Sequence, residues 1–302
     1  MASMAQCGGD QDGQALSRYA LRADPVSTLA AEELRIGDRT MLALSDGFFA
    51  LNSVPHFLGS PDDPHGFYEQ MRAAGHDTVR MPIGAFVWPG ERNALIDAGF
   101  GPNDHGGRGI MVGGMLPGQL SRYGLSFDDI HVIALSHLHP DHTGWLADAE
   151  GRPLFHSAQV VVGRADWDYF MAPDGAGLGL EEHVRHALAA MAEQDRVTLL
   201  DGDDEIVSGL TRLAAPGHTP GHSIYAVHDA GERALLFGDA LYCPQQLTQV
   251  DWEASSDVDP VAARRTREAF LRDLEGNGGL GVGCHFPGLK AGRVLSGAWQ
   301  ER

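Results

Sequence analysis

The sequence predicts an α/β protein in which a group of strands is followed by helices, and the same order then occurs a second time. Short apolar runs separated by turn residues indicate strands between residues 40 and 97. A nearly continuous apolar run at 130–136 predicts a buried strand, and apolar residues repeat with a helical period over 181–193. The chain of 302 residues is long enough for one large α/β core or for two domains.

The first half of the chain divides into short elements. Residues 40–51 and 78–97 are predicted to be strands of one antiparallel sheet, and the proline-containing segment 53–66 between them is predicted to be a loop. Residues 67–74 are predicted to form a short helix. The glycine-rich segment 100–118 also carries apolar side chains, which suits either a mobile lid over a pocket or a surface loop with buried anchors.

A second group of strands and helices fills the rest of the chain. After strand 160–163 and helix 181–193, strands are predicted at 205–214, 223–228 and 234–237. A last helix begins at Pro260, with Asp259 as its cap, and ends near residue 275 before a run of glycines.

Composition excludes several classes of protein. The formal net charge of −19 repels phosphate backbones and anionic lipid surfaces, so we expect neither nucleic acid nor a membrane as a partner. The sequence has no apolar run near the 18 residues of a membrane span. We expect no signal peptide, because residues 1–13 lack a basic region and an apolar region. We therefore expect a cytoplasmic protein with a flexible tail at 1–15 and a single domain at 16–302, and a homodimer remains open.

One short segment concentrates metal-ligating side chains. His137, His139, Asp141 and His142 follow directly after the predicted buried strand at 130–136. Imidazole and carboxylate groups are the ligands that zinc takes in hydrolytic sites. Two histidines that are two apart on an extended segment can face one ion, while Asp141 and His142 begin a new turn and face a second. The segment therefore predicts a metal site.

This HxHxDH pattern resembles the signature of the metallo-β-lactamase fold superfamily. Further segments are similar to that family in chain order. They are Asp97 at a strand end, Gly217-His218-Thr219-Pro220-Gly221-His222, Phe237-Gly238-Asp239, and Gly283-Cys284-His285. The resemblance implies an αββα four-layer sandwich, in which two mixed β-sheets lie face to face with helices outside.

The resemblance also implies a ligand set for two metal ions. The first ion takes His137, His139 and His218, and the second takes Asp141, His142 and His285. Asp239 bridges the two ions. Asp97 and His222 are expected to support the ligands without binding metal. Cys284 is expected to be a small buried apolar residue whose thiol points away from the site.

The ligand types favour zinc, although manganese, iron or cobalt also suits them. Two cations that share a water molecule lower its pKa, and the resulting hydroxide attacks a substrate carbonyl or phosphoryl group. Asp141 and Asp239 are expected to orient this hydroxide and to move its proton. The di-iron redox members of the superfamily carry a glutamate where this chain has His139, so hydrolysis is favoured over oxygen chemistry.

The substrate is expected to be a small neutral molecule. Tyr242, three residues after Asp239, resembles the tyrosine with which quorum-quenching lactonases contact the substrate carbonyl, so lactone or ester hydrolysis is predicted. The segments SDGFF and LTQVDWE resemble the methyl parathion hydrolase branch, which makes organophosphate or aryl-ester hydrolysis the alternative. A persulfide dioxygenase and a thioesterase are more distant alternatives. The packing of Tyr242 in a loop, without a catalytic role, also remains open.

Overall fold

The computed structural model describes residues 31–50, 57–76, 79–106, 110–172, 179–295 and 298–302. The predicted tail at 1–15 lies outside this range. The predicted loop 53–66 and the predicted lid 100–118 are described only in part. Among the helices of this part of the chain, none has the length and apolar character that crossing a membrane requires.

Eighteen strands are present in the described residues. They are β1 (Ala31–Ile36), β2 (Arg39–Ala50), β3 (Leu58–Gly59), β4 (Arg80–Trp88), β5 (Ala94–Ile96), β6 (Asp104–Gly106), β7 (Ile110–Val112), β8 (Val132–Ala134), β9 (Gln159–Gly163), β10 (Val197–Leu200), β11 (Asp204–Val207), β12 (Leu210–Ala214), β13 (Ser223–Asp229), β14 (Glu232–Leu236), β15 (Glu253–Ala254), β16 (Leu280–Val282), β17 (Gly292–Leu295) and β18 (Ala298–Glu301).

The α-helices of the described residues are α1 (Gly66–Ala73), α2 (Leu116–Arg122), α3 (Pro140–Thr143), α4 (Arg164–Phe170), α5 (Glu182–Glu193) and α6 (Pro260–Asn277). Short 3₁₀ turns lie at Phe127–Asp129, Gly144–Leu146, Gly238–Ala240, Pro244–Leu247 and Pro287–Leu289. The longest helix, α6, is capped as predicted, because the carboxylate of Asp259 accepts a hydrogen bond from the backbone N–H of Ala262 at 2.9 Å. Gly278 ends α6 in the left-handed conformation, with φ of 61°.

Two large mixed sheets make up the centre of the molecule. The first has the order β10-β9-β8-β5-β4-β2-β7-β6, with β1 also paired to β2. Its strands β5, β8, β9 and β10 run parallel, and its other pairs are antiparallel. The second has the order β11-β12-β13-β14-β16-β17-β18 and one parallel pair, β14 with β16.

Three apolar layers show how the sheets and helices stack. Side chains such as Phe86 and Val227 fill the space between the two sheets. Leu188 of α5 packs on the outer face of the first sheet, and Leu274 of α6 packs on the outer face of the second. Burial of these faces drives this arrangement. The predicted αββα sandwich is therefore confirmed.

The glycine-rich segment 100–118 is more ordered than the sequence predicts. Strands β6 and β7 pair with each other and β7 pairs with β2, so this segment extends the first sheet, and α2 begins at Leu116. Phe100 is 2% exposed. Two short strands therefore stand where the sequence predicts a lid or a surface loop, because β7 pairs with β2 and β6 pairs with β7, and strands of three residues are too short to show a sequence pattern.

Two further boundaries differ from the sequence prediction. The predicted strand 205–214 is two strands, β11 and β12, which pair in antiparallel fashion around a turn at Ser208 and Gly209. The predicted strand 130–136 is shorter in the structure, where β8 spans Val132–Ala134 and the chain leaves the sheet at Leu135. This early exit brings the histidine-rich segment to the end of the sheet.

Candidate metal centre

The strand ends of both sheets carry the candidate site. Asp97 follows β5, and the segment from His137 to His142 follows β8 in the first sheet. In the second sheet His218 lies between β12 and β13, Asp239 follows β14, and His285 follows β16. The side chains of all these residues are buried apart from the half-buried His139 and Pro140. The two sheets therefore bring together residues that are up to 188 positions apart in the sequence.

Local backbone geometry divides the HxHxDH segment into two groups of candidate ligands. His139 is extended, with φ of −73° and ψ of 159°, and Pro140 begins the one-turn helix α3 with its ring in the first helical position. His137 and His139 precede the helix, whereas Asp141 and His142 lie within it. The change from extended to helical backbone therefore separates the first pair of side chains from the second.

The first donor cluster consists of His137, His139, His218 and Asp239. Nδ1 of His139 lies 2.9 Å from Nε2 of His137 and 3.0 Å from Nε2 of His218. Oδ2 of Asp239 lies 3.5 Å from Nε2 of His218. Three imidazole nitrogens and one carboxylate oxygen thus face a common point.

The second donor cluster is built around the other oxygen of the same aspartate. Oδ1 of Asp239 lies 3.2 Å from Nε2 of His142 and 3.0 Å from Nε2 of His285. Oδ2 of Asp141 lies 3.5 Å from Nε2 of His142 and 3.6 Å from Nε2 of His285. Asp239 therefore belongs to both clusters, one oxygen facing each.

The donor atoms fit divalent metal ions. Nitrogens that share a tetrahedral zinc ion at bond lengths of about 2.0–2.1 Å lie roughly 3.3 Å apart, close to the observed separations. Nε2 of His142 is buried and makes no hydrogen bond to any described residue, although the carboxylate of Asp239 is near. A buried ring nitrogen that faces other donor atoms and makes no hydrogen bond is expected of a metal ligand.

The two donor clusters differ in protonation in the metal-free chain. Burial opposes protonation of His142 and His285, but the carboxylates of Asp239 and Asp141 raise the pKa of both imidazoles above the ordinary value, so a metal ion there would displace their protons. The first cluster is different. Burial lowers the pKa of His139 to about 3 and holds the pKa of His137 well below its ordinary value, so both imidazoles are neutral and offer lone pairs. Burial opposes the ionisation of Asp239, but the neighbouring His285 and His142 hold the pKa of its carboxyl well below the usual range. The shared carboxylate is therefore ionised.

Buried hydrogen bonds orient several of the donor residues from behind. Oδ2 of Asp97 lies 2.9 Å from Nδ1 of His142, and Oδ1 of Asp97 accepts the backbone N–H of Ser136 at 2.7 Å. Nε2 of His222 accepts the backbone N–H of Asp239 at 3.1 Å. Nδ1 of His285 lies 2.7 Å from the carbonyl oxygen of Pro82. Each contact fixes the orientation of a ring or of the chain beside it.

Cys284 lies differently from the sequence expectation. Its Sγ is 3.4 Å from Oδ1 of Asp239 and is grouped with the second donor cluster. The expectation that this thiol points away from the site is wrong. The chain turns immediately after β16 and is no longer extended at Cys284, so neighbouring side chains do not alternate between faces.

Sequence reasoning missed Asp257, which lies behind His218. Oδ1 of Asp257 is 3.1 Å from Nδ1 of His218, and the Asp257 side chain is fully buried. No motif marks this aspartate, because it stands in an irregular segment before α6. The only available signal in the sequence is its position shortly before the capping residue Asp259.

Tyr242 lies directly over the second cluster. Its ring stacks on the ring of His285, and its hydroxyl oxygen is 3.1 Å from Oγ of Ser256. Phe57 packs edge-on against Tyr242 with ring centroids 5.0 Å apart. Burial raises the pKa of Tyr242 well above its ordinary value, so the hydroxyl keeps its proton.

Aromatic side chains surround the donor clusters. Phe49 packs edge-on against His285 with centroids 4.8 Å apart, and Phe170 packs edge-on against His139 with centroids 5.4 Å apart. Trp252 and Phe100 belong to the same apolar group as Tyr242. The candidate site is therefore polar at the ligands and apolar around them.

The curated relatives of this chain include N-acyl homoserine lactonases. An N-acyl homoserine lactonase of Bacillus thuringiensis is 27% identical over 180 residues, which cover 54% of this chain and 66% of the relative. The N-acyl homoserine lactonase AttM of Agrobacterium fabrum is 32% identical over 131 residues, which cover 41% of this chain and 46% of the relative. The chain thus spans 66% or less of the length of these two relatives.

Solved structures share the fold over most of the chain. AidC, a dizinc quorum-quenching lactonase, superposes with a TM-score of 0.73 at 22% identity, covering 91% of this chain and 98% of AidC. The hydrolase AbOPH of the beta lactamase superfamily gives a TM-score of 0.77 at 24% identity, with the same coverage of 91% and 98%. At these identities the likeness concerns the fold.

Residues 85–280 match the model of the metallo-beta-lactamase superfamily. The matched range is more than half of the chain and contains most of the residues of both donor clusters. The fold has the two sheets and outer helices that the sequence resemblance implies. The chain therefore belongs to the metallo-beta-lactamase superfamily.

Proposed function

We propose that this protein is a dinuclear zinc hydrolase that opens a lactone or cleaves a small neutral ester. The observation that carries the proposal is the carboxylate of Asp239, whose two oxygens face two separate donor clusters. The ligand assignments made from the sequence are part of this proposal: His137, His139 and His218 for one ion, Asp141, His142 and His285 for the other, and Asp239 for both.

Zinc ions at such a site lower the pKa of water and polarise a carbonyl group. The protein supplies groups that move the proton and hold the substrate. Asp141, whose side chain is 12% exposed, can accept a proton from water and pass it to the leaving alkoxide. Tyr242 keeps its phenolic proton and can donate a hydrogen bond to the carbonyl oxygen as negative charge develops there.

The surroundings favour a neutral substrate with apolar parts. Phe49, Phe170 and Tyr242 pack against the ligand imidazoles, and the chain carries a net charge of −19. A polyanionic substrate is disfavoured by this charge. Because relatives in Bacillus thuringiensis and Agrobacterium fabrum are named N-acyl homoserine lactonases, such lactones are the first substrates to test.

Organophosphate or aryl-ester hydrolysis is the second candidate. The shared carboxylate and the apolar surroundings suit a phosphotriester as well as a lactone, because both are neutral electrophiles. A persulfide dioxygenase or a thioesterase is less well supported. A persulfide dioxygenase uses a single iron, whereas this chain has two donor clusters. A glutathione thioesterase needs a basic surface for its substrate. The basic cluster in this sequence consists of Arg264, Arg265 and Arg267, and Arg267 is buried.

A substrate panel tests the proposal. Zinc-loaded protein is assayed with acyl homoserine lactones, simple lactones, aryl esters, phosphotriesters and a glutathione thioester, with the His137→Ala variant as control. We expect the highest kcat/KM on lactones and loss of turnover in the variant. A preference for phosphotriesters would move the assignment to the second candidate, and activity that survives in His137→Ala would refute the metal mechanism.

The remaining expectations also belong to the proposal. We propose that residues 16–302 form one domain and that the protein works in the cytoplasm, and the homodimer that the sequence leaves open is the oligomer to test for. Limited proteolysis, cell fractionation and light scattering test these three statements in turn. A monomeric mass in solution would remove the homodimer without affecting the proposed chemistry.

A further inference from the structure

A buried ion pair lies directly behind the candidate ligand His218. Oδ1 of Asp257 is 3.1 Å from Nδ1 of His218, and Oδ2 of Asp257 is 3.3 Å from Nη1 of Arg267. The side chains of His218, Asp257 and Arg267 are 1%, 0% and 1% exposed. The three groups therefore form a chain of contacts that is closed to solvent, leading from the ligand to helix α6.

The two nitrogens of His218 face different partners. Nε2 lies 3.0 Å from Nδ1 of His139 and faces the first donor cluster, while Nδ1 faces Asp257. A neutral imidazole carries a proton on one nitrogen only, so a ligand that binds through Nε2 has its proton on Nδ1. The partner that this arrangement requires is a hydrogen-bond acceptor, and the carboxylate of Asp257 provides one.

The backbone of the same segment also holds His218. The N–H of Val258 donates to the carbonyl oxygen of His218 at 3.0 Å, and the N–H of Asp259 donates to that of Gly217 at 2.9 Å. Gly217 has φ of +140°, and a Cβ there would lie 2.1 Å from the backbone N of Ala263 in α6. The start of α6 is thus packed tightly against the chain that carries His218.

We propose that Asp257, held by Arg267, is a positioning residue that orients His218 for metal binding. This inference rests on the proposed function, because it takes His218 to be a ligand of the first ion. The carboxylate accepts the Nδ1 proton and so directs the Nε2 lone pair toward His137, His139 and Asp239. Carboxylate partners of ligand imidazoles fix the tautomer and ring orientation in metal sites.

Arg267 has a distinct part in this arrangement. A buried carboxylate without a cation is costly, and the guanidinium of Arg267 compensates the charge of Asp257. The N–H of Ala254 also donates to Oδ2 of Asp257 at 3.2 Å, so Oδ1 is left for His218. We therefore expect loss of Arg267 to affect folding stability and loss of Asp257 to affect the metal.

The test uses four variants of the 302-residue chain: Asp257→Asn, Arg267→Met, the double variant that carries both changes, and Asp273→Asn. The last is a matched control, because Asp273 also pairs with an arginine, at 2.6 Å from Nη1 of Arg233, and lies on the same helix away from the donor clusters. Zinc affinity is measured by competition with a chromophoric chelator, and thermal unfolding is measured on metal-free protein.

We expect Asp257→Asn and the double variant to bind the first zinc ion about 10–100-fold more weakly than the wild type. The double variant should regain thermal stability relative to Asp257→Asn, since it no longer buries an unpaired guanidinium. Arg267→Met should lose stability and keep most of its zinc affinity, and Asp273→Asn should keep its zinc affinity.

A folded double variant that binds zinc as tightly as the wild type would overturn the proposal. An equal loss of zinc affinity in Asp273→Asn would overturn it as well, because the effect would then be general to ion pairs on α6. The comparison uses no substrate. A wild-type protein that binds zinc and opens no lactone or ester therefore refutes the proposed function alone, and weaker zinc binding by Asp257→Asn still supports the positioning role.

Discussion

The ring of Tyr242 is stacked on the imidazole of His285, with centroids 5.2 Å apart and an angle of 9° between the planes. This stacking places the phenol over the second donor cluster, and the contact with Ser256 at 3.1 Å orients its hydroxyl. The arrangement leaves Tyr242 only 4% exposed. A small rotation of the hydroxyl from Ser256 to a substrate oxygen would therefore take place in an apolar setting, where a hydrogen bond is strong.

Replacement of this tyrosine by phenylalanine separates catalysis from packing. We expect Tyr242→Phe to lower kcat on the best lactone or ester by about 10²–10³-fold, because the donor to the developing oxyanion is lost. Zinc content should be unchanged, since no ligand is removed. Steady-state kinetics and elemental analysis of the variant measure both quantities.

Tyr225→Phe is the matched control for this experiment. The hydroxyl of Tyr225 is also buried and donates to the carbonyl oxygen of Leu135 at 2.7 Å. We expect its loss to lower the free energy of unfolding by about 1–3 kcal/mol and to leave kcat close to the wild-type value. If Tyr242→Phe shows the same pattern as Tyr225→Phe, then Tyr242 packs and does not take part in the reaction.

Replacement of the shared carboxylate should weaken both metal sites. Asp239→Asn removes the charge that faces the two donor clusters, so we expect lower affinity for both zinc ions and a loss of activity by several orders of magnitude. His285→Ala should weaken only the second ion. Calorimetric titration of each metal-free variant with zinc distinguishes weaker binding of both ions from weaker binding of the second ion alone. Normal binding of both ions to Asp239→Asn would exclude the bridging assignment.

Removal of metal should destabilise the folded chain. Ligands that bind only the folded state raise its stability by about 2.7 kcal/mol at 100 times their Kd. We therefore expect a chelator to lower the Tm and added zinc to restore it. The His137→Ala variant serves as control and should show a smaller response to zinc. An identical Tm of wild-type protein with chelator and with zinc would contradict metal binding by the native state.

A buried aspartate joins three segments next to the site, and its amide variant should be unstable. Asp46 is 0% exposed. Its Oδ2 accepts the backbone N–H of Phe100 at 2.7 Å. Its Oδ1 accepts the backbone N–H of Leu116 at 2.7 Å and the indole N–H of Trp145 at 2.8 Å. In Asp46→Asn an NH₂ group must face some of these donors.

We expect Asp46→Asn to lower the free energy of unfolding by about 3 kcal/mol or more, because buried donors lose a charged acceptor. Asp38→Asn is the control, since Asp38 is 85% exposed and lies 3.6 Å from Arg35 on the surface. That change should alter stability by less than about 0.5 kcal/mol. Urea unfolding of both variants gives the comparison, and equal values would show that the Asp46 contacts are not stabilising.

The sequence predicts those parts of the fold that have a local pattern. The apolar period of helix α5 and the capping pair Asp259-Pro260 correspond to observed helices. The HxHxDH segment and His218 are predicted as ligands, and the structure brings Nδ1 of His139 within 3.0 Å of Nε2 of both His137 and His218. These features depend on short stretches of chain, which is why the sequence alone reveals them.

Features that depend on tertiary contacts were missed. Strands β6 and β7 form because β2 offers a free edge, and glycine-rich sequence carries no period that shows this. The thiol of Cys284 faces Asp239 because the chain turns just after β16. Asp257 reaches His218 only after α6 packs across Gly217. Such contacts join positions that have no fixed spacing in the sequence.

The most direct test of the central claim is a zinc titration of catalytic activity. Metal-free protein is titrated with Zn²⁺ while acid release from an N-acyl homoserine lactone is recorded at each ratio of metal to chain. The account predicts that the rate rises until two equivalents of zinc are bound and then stays constant. A rate that reaches its maximum at one equivalent, or no acid release from any lactone or ester at any ratio, would contradict it.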